Sequence, residues 1–160
     1  MELERRGHKF VRYADDMNIY VGSQRAGERV LESMTVFLEK KMKLEVNQKK
    51  SKVGSPRELK FLGFTLARQS GGAVIRIHQT AKLRIIAKLK SMTKRSRGVS
   101  LDKILDEVKM SMRGWINYYG IAQIKKFLQQ TDMWLRSRIR MYIWKQWKKP
   151  KTRIKALMKL

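Results

Sequence analysis

Residues 10–21 read FVRYADDMNIYV. Asp15 and Asp16 stand side by side between two apolar runs, Phe10, Val11 and Tyr13 before them and Met17, Ile19, Tyr20 and Val21 after. The rough alternation and the β-branched and aromatic content on both sides predict two short strands, 8–13 and 17–21, joined at Ala14-Asp15-Asp16. Two adjacent like charges repel, so packing alone gives no reason for the pair. One reading is an ordinary hairpin turn, where Asp is common. The other is a metal site, because magnesium takes hard oxygen ligands. Two such ions can clamp the attacking and leaving oxygens of an in-line phosphoryl transfer. The twelve residues leave both readings open.

Outward from the hairpin, Ser23 can cap a helix. Val30, Leu31, Met34, Phe37, Leu38 and Met42 recur at spacings of three and four, which predicts an amphipathic helix from Gln24 to about Lys43. Leu44-Glu45-Val46 reads as a short strand and 47–56 as a polar loop. LKFLGFTL at 59–66 reads as a strand with Gly63 inside it. Gly71-Gly72 turns the chain into a hairpin partner at 73–78. Strand signals then stop. Helices are expected over 80–92, from Ser100 towards Tyr119-Gly120, and over 124–147, with TKRSRG between the first two as a basic linker. Residues 151–160 begin another helix after Pro150.

The 160 residues suffice for one ordinary domain or two small ones, and 42% hydrophobic content supports a core. The net charge is +25, with a pI near 10.8. Self-repulsion of that size calls for an anionic partner, nucleic acid first and an acidic membrane surface second. The charge is uneven: residues 1–70 carry a net +6 and residues 71–160 a net +19. From Lys125 onward twelve basic residues face one acid, Asp132. There is no cysteine, so disulfides and thiolate zinc sites are excluded. No apolar leader or membrane-length run is present. A soluble, cytoplasmic protein without membrane contact is expected.

FVRYADDMNIYV closely resembles the catalytic hairpin of reverse transcriptases. LEVNQKKSKV and ELKFLGFTL look like the next two blocks of the reverse transcriptases encoded by group II introns. MRGWINYYGIA and RSRIRMYIWKQWKK resemble the thumb, or maturase, region of the same proteins. The blocks come in family order over nearly the whole chain, and order is more specific than any one block.

The resemblance implies an α+β fold: part of a polymerase palm over 1–78, an all-α basic thumb over 79–149, and the start of a DNA-binding region at 150–160. It implies RNA-directed DNA synthesis with Mg2+, with Asp15 and Asp16 as metal ligands. Tyr13 would pack beneath them and Ala14 would lie near the primer terminus. Lys50 would approach the leaving pyrophosphate, while Phe61, Leu62, Gly63 and Phe64 would support the primer strand. A glycine in a strand also marks a simple bulge. Arg113, Asn117, Arg136, Arg138, Arg140, Lys145, Lys148 and Lys149 are the expected nucleic-acid contacts. Trp115, Tyr119, Trp134 and Trp144 have apolar neighbours at helical spacing and are expected in the thumb core.

Partners implied are the group II intron RNA, an RNA template with DNA primer and deoxynucleotides, and target DNA. The family's third metal-binding carboxylate and its fingers domain have no counterpart here, and no HNH-type segment follows. The chain therefore reads as cut short at both ends, with little polymerase activity expected from it alone. Two alternatives are an RNA-binding module that assists splicing without polymerising, and the product of a degenerate reading frame.

Overall fold

The computed structural model describes residues 2–158. Met1 lies outside the described residues, as do Lys159 and Leu160 at the end of the expected DNA-binding start. The fold is α+β, with two small hairpins and a set of helices. The chain divides into two compact units, Met1–Thr65 and Leu66–Leu160.

The first unit opens with a single helical turn, α1 (Glu2–Arg5). Glu2 accepts hydrogen bonds from Arg5 Nη2 at 2.6 Å and Arg6 Nε at 2.7 Å, which together hold its carboxyl down at about 2. Strands β1 (Lys9–Tyr13) and β2 (Asp16–Tyr20) form an antiparallel hairpin in the register Lys9–Tyr20 to Tyr13–Asp16. The strands alternate, so Phe10, Arg12, Met17 and Ile19 share one face. Val11, Tyr13, Asp16 and Asn18 share the other. Ser23 caps α2 (Gln24–Val36) as expected, accepting from Ala26 N at 3.3 Å.

Helix α2 does not run on unchanged to residue 43. Phe37–Lys41 widens to a π turn, and Lys43 (φ 55°) closes it in the left-handed region. Leu44 N then returns to Leu38 O at 3.0 Å. That return replaces the strand expected at 44–46, which finds no ladder partner and is irregular. Downstream, Val53 presses on α2 so closely that a Cβ on Gly27 would lie 2.6 Å from Val53 Cγ1.

The strand expected at 59–66 is instead a reversal followed by a strand. Phe61 and Phe64 exchange two hydrogen bonds of 2.9 Å around Leu62 and Gly63, both at positive φ (52° and 81°). Gly63 is thus the second residue of a two-residue turn, the place where positive φ is needed.

Strand β3 (Phe64–Gln69) pairs with β4 (Gly72–Ile77), and the division between units falls within β3. Four helices follow in the second unit. His78 caps α3 (Gln79–Met92) and Ser100 caps α4 (Leu101–Tyr119), each through a side chain accepting a backbone N–H. Helix α5 (Lys125–Gln146) is the longest, and α6 (Pro150–Leu157) starts at its proline. Ile85 and Leu89 of α3, Ile104 and Val108 of α4, and Leu135 and Tyr142 of α5 form one core. Leu89 and Ile104 are fully buried, worth about 1.5–3 kcal/mol each. The hairpin is tied to this bundle by Gln123, whose N–H donates to Ile75 O at 3.1 Å and whose amide reaches Gln69 Oε1 at 3.2 Å.

The connection between α3 and α4, expected as a plain basic linker, is stapled to α5. Arg138, Tyr142, Lys145 and Gln146 recur along one stripe of α5. Arg138 donates to Lys90 O and Thr93 O at 3.1 Å each, Tyr142 to Val99 O, and Lys145 to Arg95 O at 2.9 Å. Gln146 also reaches Val99 O, at 3.5 Å. Arg97 donates in the other direction, to Met92 O at 2.9 Å and to both oxygens of Glu107 on α4, at 2.6 and 3.1 Å.

Candidate functional site

Asp15 sits at the tip of the β1–β2 hairpin and Asp16 on the first rung of β2, opposite Tyr13. The loop is two residues long, Ala14 and Asp15. Ala14 takes φ 50°, a left-handed conformation that costs an L-residue roughly 1–2 kcal/mol. Arg12 steadies the loop by donating from Nε to Ala14 O at 3.0 Å. Both carboxylates are exposed, and neither has an ion-pair partner among the described residues. Tyr13 is 64% exposed and Val11 47%, so their face of the hairpin is largely open to solvent.

In kind, the donors suit magnesium: hard oxygens, open to solvent, on a short hydrogen-bonded ladder. In number they are a partial set. No cluster of three His, Cys, Asp or Glu side chains able to hold a metal occurs among the described residues.

Lys50 is exposed on a turn in which Asn47 accepts its N–H through both the backbone oxygen (3.1 Å) and the side-chain oxygen (3.2 Å). Phe61, Leu62, Gly63 and Phe64 form the reversal described above. Two candidate groups are therefore organised by turns with positive-φ residues, at Ala14 and at Leu62-Gly63.

In the second unit the expected nucleic-acid contacts fall into two kinds. Arg113 and Asn117 are exposed one turn apart on α4, Arg140 is exposed on α5, and Lys148 and Lys149 are exposed just before α6. Arg136 is exposed but paired with Asp132 at 2.9 Å. Arg138 and Lys145 point their charge into the chain itself. Arg138 donates from Nε to Thr93 Oγ1 at 2.6 Å besides its two carbonyl bonds, and its guanidinium lies 5.2 Å from the Trp134 ring. A cation at a helix C-terminus offsets the dipole there, and Arg138 does this for α3.

The aromatic residues also divide. Trp115 packs on Tyr119 at 4.7 Å and Phe127 at 5.4 Å, and Trp115, Phe127 and Trp134 border the core. Burial pushes the Tyr119 hydroxyl upward, helped by neighbouring Tyr118. Trp144 departs from the expected core position: it is 47% exposed. It lies two residues beyond buried Tyr142, a rotation of about 200° on a helix, which carries it off the core stripe. Trp144, Met141, Arg140 and Arg95 line an open groove of about 280 Å³. Arg95 and Trp144 were missing from the expected contacts. Helical rotation sets Trp144 off the core stripe once Tyr142 is seen to be buried, but the sequence alone does not say which of the two rings faces the core, and nothing local places Arg95 beside Trp144.

Two family models match the chain. A reverse transcriptase (RNA-dependent DNA polymerase) model covers residues 2–66. A group II intron maturase-specific domain model covers residues 82–160. The chain belongs to the group II intron reverse transcriptase/maturase family. The polymerase match ends one residue past the division between the compact units, and the maturase match lies wholly within the second. No curated protein gives a match. The family combines RNA-directed DNA polymerase and intron maturase functions, so nucleic acid is the partner class that the basic surface serves. No helix among the described residues is long and apolar enough to cross a membrane.

Proposed function

We propose that this chain contributes the paired carboxylates of an RNA-directed DNA polymerase and the RNA-gripping helices of an intron maturase. The observation that carries the proposal is the separation of roles: two exposed, unpaired aspartates on a hairpin tip, and exposed cations on a helical bundle with its own core. Palm residues would run to 78 and thumb residues from 79 to 149, with a DNA-binding region opening at 150. Asp15 and Asp16 would hold magnesium, which when bound neutralises charge on the reacting phosphates. Tyr13 and Ala14 would set the shape of the surface beside them, Lys50 would face the departing pyrophosphate, and the 61–64 reversal would support the primer strand. Arg113, Asn117, Arg140, Lys148 and Lys149 would take phosphates of intron RNA, template–primer or target DNA.

A second reading is an RNA-binding module that assists splicing without polymerising. The self-contained bundle favours it, because that bundle needs neither aspartate to fold or to present its charge.

The test pairs two assays on the purified chain and on Asp15→Ala/Asp16→Ala. RNA affinity should fall steeply with salt, as expected when cations displace counterions, and should be the same for both proteins. Magnesium-dependent primer extension that disappears in the variant selects the polymerase reading. Salt-sensitive binding without extension selects the binding module. RNA binding that is weak or insensitive to salt would overturn both.

A further inference from the structure

The groove beside Trp144 is a place where an exposed aromatic ring meets unpaired positive charge. Met141 on one rim is 44% exposed, and Arg140 and Arg95 are exposed beside it. Neither arginine has an acid partner among the described residues. The framework under them is fixed. Lys145 holds Arg95 by its carbonyl at 2.9 Å, and Arg140, Met141 and Trp144 belong to consecutive turns of α5. Trp144 itself is steadied by the Arg153 guanidinium at 5.0 Å and by Trp147, with ring centroids 6.3 Å apart, yet nearly half of it remains open. An indole left exposed on so basic a surface is not explained by core packing.

We propose that Trp144 is a base-stacking platform for single-stranded nucleic acid, with Arg140 and Arg95 taking the phosphates that flank the stacked base. This rests on the nucleic-acid-binding reading above and makes it specific to strand type. A splayed base offers a free π-face to an aromatic ring, whereas bases in a duplex are already stacked on each other. Met141 supplies an apolar contact at the edge of the base. The groove is open and lined by only four side chains, a ring, a thioether and two guanidinium groups, which suits one base rather than a paired helix.

The experiment measures binding of the full chain to a 10-nucleotide single-stranded oligouridine and to an RNA duplex of the same length. Wild type, Trp144→Ala, Trp144→Phe and Arg95→Gln/Arg140→Gln are compared, with circular dichroism as a folding check. Trp144→Ala should weaken single-strand binding about tenfold and leave duplex binding within about twofold. Trp144→Phe should recover part of the loss, because it keeps a ring. The double Arg variant should lower the slope of log affinity against log salt by about 1.4, about 0.7 for each lost phosphate contact on a single strand. Equal losses for both RNAs, or unchanged single-strand affinity in Trp144→Ala, would overturn the platform while leaving the RNA-binding reading intact. Failure of the wild type to bind either RNA would overturn that reading and the platform with it.

Discussion

Arg138 of α5 and Thr93 at the end of α3 are joined by a 2.6 Å hydrogen bond from the guanidinium Nε to the threonine hydroxyl oxygen. Thr93 is 1% exposed, and its hydroxyl in turn donates to Leu89 O at 2.7 Å. Two helices far apart in sequence are thus fastened at one buried polar point. Arg138→Ala should cost about 1–3 kcal/mol, because it leaves Thr93 and two carbonyls without their charged partner. Arg138→Lys should recover only part of that, since an ammonium cannot reproduce the planar fork. Urea unfolding of the three proteins checks this. A loss below about 0.5 kcal/mol would mean that solvent replaces the guanidinium freely.

Glu107 supplies the acid-sensitive link in the same bundle. Its hydrogen bonds with Arg97 hold the carboxyl below its ordinary value of 4.5. A depressed carboxyl contributes stability that is present above the unfolded value and is lost as pH falls through the folded one. The stability difference between wild type and Glu107→Gln should therefore be largest near neutral pH and shrink below about pH 4.5. Unfolding midpoints from pH 7 to pH 3 provide the check. A difference constant with pH would show that the pair is not what the proton disrupts.

Gly27 is an unusual glycine, inside α2 where alanine would favour the helix by about 1 kcal/mol. A Cβ there meets Val53 Cγ1 at 2.6 Å, so the contact should reverse the sign. Gly27→Ala should destabilise the first unit by about 1 kcal/mol, and adding Val53→Ala should relieve the overpacking. A double-variant cycle measures the coupling. A stabilising Gly27→Ala would mean that the 53 region yields without cost.

The two units should also differ in local stability. Leu3 and Met34 are the buried apolar residues described in the first unit, against ten in the second. Amides of α3–α5 should exchange hydrogen orders of magnitude more slowly than those of β1 and β2. Mass-resolved exchange reads this directly, and equal protection in the two units would contradict it.

The elements that announce themselves locally were legible in the sequence. Ser23 and Ser100 precede apolar stripes and cap α2 and α4, and the alternation around Asp15 gives the β1–β2 hairpin. Elements defined by a partner elsewhere were not. Leu44–Val46 has strand residues but no ladder to join, and FLGF reads as a strand until the positive φ of Leu62 and Gly63 makes it a reversal. The same limit applies to the site. The position of the aspartate pair at a hairpin tip was legible in one short stretch, because the alternation on both sides sets it. Arg138 and Arg140 look alike in sequence, yet one faces carbonyls of the chain and the other faces solvent. Trp144 was hidden for the complementary reason: apolar neighbours do not say on which side of a helix a ring emerges.

The connection at 93–99 holds one more consequence. Its carbonyls at Thr93, Arg95 and Val99 are bound by α5 in the folded bundle, so its backbone has less freedom left to lose. A flexible basic tail must be ordered by the RNA it meets, and that ordering subtracts from affinity. Lys94 and Arg95 instead stand exposed on a backbone that is already held, so part of the entropic cost of ordering it falls on folding rather than on binding.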